Sequence, residues 1–517
     1  MLQELSHLFL GMVKYSVYNE ILFGFIGLWV SWRLWSFTVL PFFHPNSPKE
    51  LPYVIPVLGH AQAFIGNSEA LINRGKRYFN NTGEPFTLTV GGKKLYILTA
   101  GTYDLLIGFG IKPSIIRTLW QKMPAKIAQE SRKDVDPAKV PPLSIMHSTH
   151  DLYKRQLLPG TKLDVINISL NGWIDRHLEW NDVKARYLTL CPTGDRIRHL
   201  SLSAFCSDVL IEAVTKTFFG KVIYDIEPEL SGALLGFNTD AWMLVFKYPH
   251  GKNSRLGKAR KKILAAFNKI SRLPSSDRAD QAWLIQSSMS ELEANGIDHE
   301  DRAALALMIY WAANINPYKL GFWMLSYILF NPELHGKLRA ETKPEFRDGG
   351  IDPRYLMTQC PRLDSMYQET MRVTSGSLSA RKIVSPTTIG GKVLSAPHTI
   401  LIAFRQLQMD TRVFGPVPTS FDAERFLHDK NLSSCMYFKP FGGGVNRCPG
   451  RFLARQELFV FVASVINKYY ISLSTTAPQG FPRLDTCTPS LGINSPLASD
   501  DVFIDLKNRE EVSFQGV

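Results

Sequence analysis

The chain has 517 residues, of which 45% are hydrophobic, 20% charged and 11% aromatic. This composition supplies enough apolar side chain for a large core, and it excludes a disordered, collagen-like or low-complexity protein. The net charge of +13 suits an anionic membrane surface, an acidic protein partner or nucleic acid, and charge alone does not choose among them.

The first predicted element is a membrane anchor at residues 21–43, with the sequence ILFGFIGLWVSWRLWSFTVLPFF. An apolar run of this length spans a bilayer with some tilt, and Arg33 is its one charged residue. We predict a single transmembrane helix, preceded by an N-terminal tail at residues 1–20. The alternative is a buried helix or a cleaved signal peptide.

A proline-rich hinge at residues 44–58 follows the anchor, and the rest of the chain, residues 59–517, is predicted to form one large domain. Proline removes backbone donors and stiffens the chain, so the hinge is predicted to act as a spacer. The segments PFTLTV and KLYILT, joined by Gly91 and Gly92, predict a β-hairpin. Most later segments have helical periodicity, so the predicted fold class is mainly α with a small β region.

Three later segments predict helices: an apolar one at about residues 302–329, a charged one containing LRAETKPEF, and an amphipathic one with the sequence PGRFLARQELFVFVASVINKYY. The chain has no GxGxxG, GxxxxGK[ST] or HExxH motif, so a self-contained nicotinamide, ATP-phosphate or zinc-protease site has no sequence support. The basic run KARKK lacks interleaved aromatics, and nucleic acid is not an expected partner. Six scattered cysteines without a CxxC pair favour a reducing compartment.

The segment KPFGGGVNRCPGRFLARQELFVF places Cys448 among glycines, directly before a strong helix. A thiolate that ligates a metal needs backbone N–H donors aimed at its sulfur and a helix N-terminus behind it, and glycine permits that close approach. Phe441 would shield the sulfur. For the glycines alone, a simple turn with a buried cysteine is the alternative. The glycines are Gly442, Gly443, Gly444 and Gly450.

The complete pattern FxxGxxxCxG resembles the haem-binding loop of the cytochrome P450 superfamily. The resemblance implies the fold of that superfamily, with haem b (iron protoporphyrin IX) as cofactor and Cys448 as the axial ligand of its iron. It also implies that Phe441, Gly442, Gly444 and Gly450 bind the cofactor. The residue two before the cysteine is usually Arg or His in the family and is Asn446 here, so either Asn446 or the adjacent Arg447 contacts a haem propionate.

Two further motifs occur in the order that the family has. Glu369 and Arg372 form an ExxR pair on one helical face, and Arg425 lies 23 residues before Cys448, where the family places the arginine that completes a structural triad. The resemblance implies that these three residues define the fold and do not take part in catalysis. Arg381 lies at the distance from ExxR where the family usually supplies a propionate partner.

The motif A/GGxD/ET, which activates oxygen in the family, is altered in this chain. Aligned on the following FW, the segment WAANINPYKLGFW has Asn316 at the acid position and Pro317 at the alcohol position. An amide is a poor proton donor and proline has no hydroxyl, so the usual proton relay is missing. Proline also removes a helical hydrogen bond, which predicts a kink that opens a groove over the haem.

Two functions fit this departure. In the first, the chain resembles membrane-bound fungal monooxygenases of secondary metabolism that oxygenate an apolar terpenoid, steroid, polyketide or alkaloid, with water held by Asn316 or a substrate hydroxyl supplying protons. In the second, the chain resembles prostacyclin synthase, which lacks the same pair, and rearranges a peroxide without reductant. The looser resemblance to the steroid 7-hydroxylase and prostacyclin synthase branch supports both functions. We predict the first. The expected partners are NADPH-cytochrome reductase, with cytochrome b5 as an optional second donor, and the endoplasmic reticulum membrane, with the catalytic domain facing the cytosol.

Overall fold

The structure, a computed structural model, describes residues 20–98, 145–187, 198–245, 251–294, 297–346, 352–383, 385–443, 447–475, 479–490 and 492–509. The chain divides into two compact units. The first comprises Met1–Lys112 and Ala380–Ile402, and the second comprises Pro113–Ser379 and Ala403–Val517. A single catalytic domain over residues 59–517 stays a prediction.

The first unit contains an exposed apolar helix, α1 (Glu20–Phe43), with a π-helical turn at Trp35–Val39. Its length and composition are those of a helix that crosses a membrane, and a signal sequence near an N-terminus has the same properties. The helix predicted at residues 21–43 is therefore present, and its insertion into a membrane stays a prediction.

Two hydrogen bonds join α1 to the proline-rich hinge. The Arg33 guanidinium donates to the Tyr53 carbonyl at 2.6 Å, and the Trp29 indole donates to the Val54 carbonyl at 2.8 Å. The single charge of the apolar segment is thus held by a backbone carbonyl of the same unit.

The hairpin predicted around Gly91 and Gly92 is confirmed. Both glycines have positive φ angles, +54° and +74°, which the tight hairpin turn requires and other residues rarely adopt. The other elements of this part of the fold are α2 (Ala61–Tyr78) and the strands β1 (Lys49–Glu50), β2 (Phe86–Val90), β3 (Lys93–Leu98), β5 (Leu378–Lys382), β6 (Thr387–Ile389), β7 (Lys392–Leu394) and β8 (Thr399–Ala403). Five of these strands form a sheet in the order β1-β2-β3-β8-β5, while β6 and β7 pair with each other.

The second unit is mainly helical, as the predicted fold class requires. Its helices are α3 (Ile145–Leu157), α4 (Thr161–His177), α5 (Trp180–Arg186), α6 (Leu202–Phe219), α7 (Val222–Ile226), α8 (Leu230–Asp240), α9 (Trp242–Val245), α10 (Arg255–Ser271), α11 (Trp283–Ala294), α12 (His299–Asn314), α13 (Pro317–Leu329), α14 (Pro332–Thr342), α15 (Pro353–Gln359), α16 (Pro361–Thr374), α17 (Phe404–Gln408), α18 (Thr411–Phe414), α19 (Arg425–His428) and α20 (Arg451–Lys468). A small antiparallel sheet has the order β4-β10-β9, with β4 at Arg198–Ser201, β9 at Tyr469–Leu473 and β10 at Phe503–Asn508.

The core of the second unit forms where α13 packs against both α6 and α20. Most of α13 is buried around its whole circumference, which is typical of a core helix. Gly321 lies at the closest approach, because a Cβ there would be 3.2 Å from Leu210 Cδ1 on α6 and 3.2 Å from Phe461 Cε1 on α20. The absence of a side chain at this position lets the three helices meet.

The apolar segment predicted as a long helix is divided at the predicted kink. The helix α12 ends at Asn314, and α13 begins at Pro317, so Ile315 and Asn316 connect the two helices. Proline lacks the N–H that a continuous helix would use, whereas the first residue of a new helix has no intrahelical partner for that group. The interruption of the helix at Pro317 is confirmed and agrees with the missing donor, while the groove over the haem stays a prediction.

The segment between β9 and β10 returns to this helix break. We call residues 479–490 and 492–498 the return loop. Its Asn494 N–H donates to the Thr374 carbonyl at 2.9 Å, and the Gly492 carbonyl accepts from the Gly376 N–H at 2.8 Å. The return loop is therefore bonded to the chain that leaves α16, the helix carrying the ExxR pair.

Candidate active site

Three charged side chains, two from one helix turn and one from a later segment, meet inside the second unit. Glu369 and Arg372, one turn apart on α16, are fully buried, and the Arg372 Nε and Nη2 atoms each lie 2.7 Å from a Glu369 carboxylate oxygen. Arg425 Nε lies 3.1 Å from both of these oxygens. The structure thus brings together the three residues that the sequence motifs predicted as a structural triad.

Arg372 also fixes the chain that runs between the two motifs. Its Nη1 donates to the Pro418 carbonyl at 2.6 Å and to the Gln408 carbonyl at 3.0 Å, and its Nη2 donates to the Ser420 carbonyl at 3.2 Å. A buried guanidinium requires partners for its five N–H groups, and these carbonyls supply them. The triad is consequently a clamp on the segment that leads toward the cysteine loop.

Cys448 lies in a closed loop that leads into α20. Its N–H donates to the Phe441 carbonyl at 3.0 Å, and Gly442, near the start of this loop, has a φ of +69°. Gly450 immediately precedes α20, and the Arg451 side chain at the helix start donates to the Cys448 carbonyl at 2.9 Å. The helix predicted directly after the cysteine is confirmed, and the role of the loop in binding a cofactor stays a prediction.

The surroundings of the Cys448 sulfur act on its pKa in opposite directions. Burial raises the pKa of the thiol, while a hydrogen bond from the Gly450 N–H and the positive charges of Arg451 and Arg447 lower it. Metal ligation replaces the thiol proton and leaves a negative sulfur. The donor and the two charges would then stabilise that sulfur, together with the N-terminus of α20.

The donor set around Cys448 fits a haem iron. Part of the Cys448 residue faces solvent, although its thiol is largely desolvated by the surrounding chain. Within the described ranges, no group of three or more His, Cys, Asp or Glu side chains could hold a bare metal ion. A porphyrin brings its own nitrogen ligands to iron and requires only an axial ligand from the protein, which a single thiolate supplies.

The other residues predicted to bind the cofactor lie in different parts of the structure. Arg447 is exposed beside Cys448, and Phe441 is partly buried and packs against the core. Gly444 and Asn446 lie outside the described residues. Arg381 belongs to the first unit, where its Nη1 donates to the Ala380 carbonyl at 2.8 Å. The propionate contacts of the two arginines stay predictions.

The break between α12 and α13 is bonded to the return loop through one side chain. Asn316 Oδ1 accepts a hydrogen bond from the Ile493 N–H at 2.8 Å. Gly492 makes room for this bond, since a Cβ on Gly492 would lie 1.9 Å from Asn316 Oδ1. Pro317 is buried as the first residue of α13. Asn316 therefore has a structural partner, and its predicted part in holding a catalytic water stays a prediction.

A second amide lies at the end of α12. The Asn314 Nδ2 group donates to the Tyr310 carbonyl at 2.8 Å, whereas its Oδ1 atom is buried and has no hydrogen-bond partner in the described part of the chain. Buried amide oxygens are normally paired, because an unmade hydrogen bond there costs about 1–3 kcal/mol. Asn314 thus has an acceptor that the described part of the chain leaves unpaired.

Sequence reasoning missed three residues that the structure places at this break. Gly492 and Ile493 carry no motif, and the contact from Ile493 to Asn316 spans 177 residues. Lys319 is the single charged residue of α13, and its Nζ atom donates to the Ile493 carbonyl at 3.4 Å. A lone lysine in an otherwise apolar helix is the signal that could have identified it.

We expect Gly492→Ala to destabilise the protein, because the added methyl group displaces Asn316 Oδ1 from the Ile493 N–H. The asparagine side chain can rotate away, so the cost is chiefly the lost hydrogen bond and local strain, about 1–3 kcal/mol in unfolding free energy. The measurement is a double-mutant cycle with Asn316→Ala, in which the second substitution should reduce the cost of the first.

Gly480→Ala is the matched control, because a Cβ at this position of the same loop meets nothing within 4 Å. Equal effects of Gly480→Ala and Gly492→Ala would contradict the assigned contact, as would strict additivity in the cycle.

Comparison with known proteins places this geometry in a family. The family model for cytochrome P450 matches residues 199–493, a range that contains the triad and the cysteine loop. The chain is 24% identical over 474 residues to cytochrome P450 monooxygenase poxD of Penicillium oxalicum, an alignment that covers 82% of this chain and 87% of that protein.

Two animal relatives are similar over shorter ranges. Cytochrome P450 7A1 of Rattus norvegicus is 25% identical over 327 residues, which is 57% of this chain and 64% of that protein. Prostacyclin synthase of Bos taurus is 24% identical over 270 residues, or 48% and 53% of the two chains. With its thiolate loop and its buried triad, the chain belongs to the cytochrome P450 family and is a haem-thiolate monooxygenase.

Proposed function

We propose that this monooxygenase inserts one oxygen atom from O₂ into an apolar small molecule, using NADPH electrons that a separate reductase delivers. The observation that supports this most directly is Cys448, held at the start of α20 with the Gly450 N–H on its sulfur. Bound haem would supply the activation of O₂ at its iron.

The side chains of this chain have distinct tasks in that function. Cys448 would hold the haem iron through its sulfur, and Arg447 and Arg381 would pair with the propionates. Asn316 fixes the helix break through its hydrogen bond with the return loop. The buried Oδ1 of Asn314 accepts a hydrogen bond from a water or substrate hydroxyl and so orients a proton source where the family's acid and alcohol are missing.

The proposed substrates are terpenoids, steroids, polyketides or alkaloids of secondary metabolism. The name of 24-hydroxycholesterol 7-alpha-hydroxylase of Mus musculus, 26% identical over 235 residues, identifies a sterol as the substrate of that relative. This similarity supports a rigid polycyclic skeleton as a substrate for the present chain. The regiochemistry is set by the pocket and not by the family motifs.

The proposed partners follow from charge and from α1. A net charge of +13 favours docking of an acidic NADPH-cytochrome reductase, with cytochrome b5 as a second electron donor. The apolar helix α1 supports attachment to the endoplasmic reticulum membrane, with the catalytic part on the cytosolic side.

The second candidate function is rearrangement of a peroxide substrate, which requires neither electrons nor protons. Two observations support this rearrangement. Asn316 and Pro317 replace the acid and the alcohol of the family motif, and the chain is similar to prostacyclin synthase.

Product formation with and without reductant separates the two functions. We expect the purified holoenzyme to convert an apolar polycyclic substrate only when NADPH, reductase and O₂ are all present, with incorporation of ¹⁸O from ¹⁸O₂ measured by mass spectrometry. Boiled reductase is the control. Rapid conversion of a hydroperoxide or endoperoxide without NADPH, and without label from O₂, would instead support the rearrangement.

A further inference from the structure

A cavity of about 810 Å³ lies in the second unit, between α8, the helices on both sides of the break, and the return loop. This volume is in the range of small-molecule sites. One part of its lining is aromatic, consisting of Trp242, Trp311, Tyr318 and Phe322. Gly492, the residue that makes room for Asn316, also lines it, so the cavity adjoins the break in the helix.

Lys319 is a poorly satisfied cation in this lining. An ammonium has three N–H donors, and the one hydrogen bond of Nζ within the described chain is the long contact of 3.4 Å to the Ile493 carbonyl. No carboxylate of the described residues lies within 4.0 Å of Nζ. Burial lowers the pKa of Lys319 to about 8, against the opposing attraction of Asp485. A partly buried cation is normally paired at close range, and Lys319 has no such partner among the described residues.

The carboxylates in the lining are already engaged elsewhere. Asp240 forms two hydrogen bonds with Arg255, at 2.8 and 2.9 Å. Asp485 accepts from the backbone N–H groups of Cys487 and Thr488, both at 3.0 Å. Asp240 is thus paired with Arg255, while Asp485 attracts Lys319 from beyond the 4.0 Å of a direct ion pair.

The two remaining acids are engaged in the same way. Asp208 accepts from the Tyr187 hydroxyl at 2.9 Å, and Asp501 accepts from the Ser201 hydroxyl and the Ser203 N–H. Among the described residues of the lining, Lys319 therefore has no direct ion pair, because Asp485 acts on it only from a greater distance, whereas Arg255 is paired with Asp240.

We infer that Lys319 binds the carboxylate of an otherwise apolar acid, whose skeleton packs against the aromatic wall of this cavity. The inference rests on the proposed function and narrows its substrate class from apolar molecules in general to apolar carboxylic acids. An acid here would fill the donor capacity of the ammonium and pair its charge, while the ring system displaces water from Trp311 and Phe322. A neutral ester of the same shape would lose the charge pairing and keep the apolar contact.

The test is a binding experiment with a fluorescent probe pair, 1-pyrenebutyric acid and its methyl ester, titrated against the holoenzyme and followed by fluorescence anisotropy. The wild-type protein should bind the acid about tenfold or more tightly than the ester, as expected for a hydrogen bond to a charged group. Lys319→Met, which keeps the length of the side chain, should abolish this preference by weakening the acid and leaving the ester unchanged. Lys319→Arg should retain it.

Lys261→Met is the matched control, because this lysine is exposed on α10 and should not alter the preference. Equal binding of acid and ester to the wild-type protein, failure of the acid to bind, or an undiminished preference in Lys319→Met would overturn the inference. The wild-type comparison decides the question even if Lys319→Met does not fold. Selective acid binding in a protein without NADPH-dependent turnover would contradict the proposed function alone, and turnover of neutral substrates without acid selectivity would contradict this inference alone.

Discussion

Replacing Cys448 with alanine should abolish the red-shifted Soret band that carbon monoxide produces with reduced, thiolate-ligated haem. The reason is that Cys448 lies just before the N-terminus of α20, where the Gly450 N–H and Arg451 favour a negative sulfur. Without that sulfur, the iron has no negative protein ligand. The measurement is the difference spectrum of purified protein, with haem content determined separately.

The control for this prediction is Cys487→Ala, which removes another exposed cysteine of the second unit. It should leave the band unchanged. Retention of the full band in Cys448→Ala would show that another side chain ligates the iron, and the assignment of the cysteine loop would then be wrong.

Replacing Glu369 with glutamine should have the largest effect on stability. The substitution leaves Arg372 fully buried and Arg425 mostly buried with no carboxylate to neutralise them. Removing one partner from a buried ionic network typically costs ~3–5 kcal/mol, and a marginally stable protein does not tolerate such a loss well. We expect a strongly lowered thermal unfolding midpoint and a low yield of haem-containing protein.

Glu333→Gln is the matched control, because Glu333 forms an exposed pair with Lys337 at 2.7 Å on α14. Exposed pairs of this kind contribute little to stability. Equal unfolding midpoints for the two variants would mean that the triad is not the clamp described above.

The motifs made the triad and the cysteine loop predictable, because both are recurrent local patterns. The ExxR pair requires only one turn of helix to place Glu369 and Arg372 side by side. The glycines before Cys448 and the helix after it likewise follow from short-range chemistry. The structure agrees in both places, and the hairpin at Gly91 and Gly92 was predictable for the same reason.

Contacts between distant segments were not predictable from this sequence. The bond between Asn316 and Ile493 spans 177 residues, and neither Gly492 nor Ile493 carries a pattern that links it to α12. The sequence motif drew attention to the missing relay at Asn316 and Pro317, whereas the structure shows that the Asn316 oxygen is bonded to the return loop. The importance of Lys319 depends on what surrounds it in space, which a helical pattern does not reveal.

The division into two units was also invisible in the sequence. Residues 380–402 rejoin the first unit after more than two hundred residues of the second. No composition change marks either boundary, because both are set by strand pairing, such as that of β3 with β8. Strand pairing between distant segments, and not their order along the chain, therefore decides which unit residues 380–402 belong to.

The close approach at Gly321 limits how this enzyme can be altered by evolution or in the laboratory. Any side chain at Gly321 would contact α6 and α20 at once. The part of α13 after this crossing point therefore has little freedom to change shape without moving the neighbouring helices. New substrate preferences should arise from amino-acid substitutions in the return loop and at the N-terminal end of α13. A mutational library that randomises those positions and spares the crossing point should yield more folded, active variants than one spread evenly over the helix.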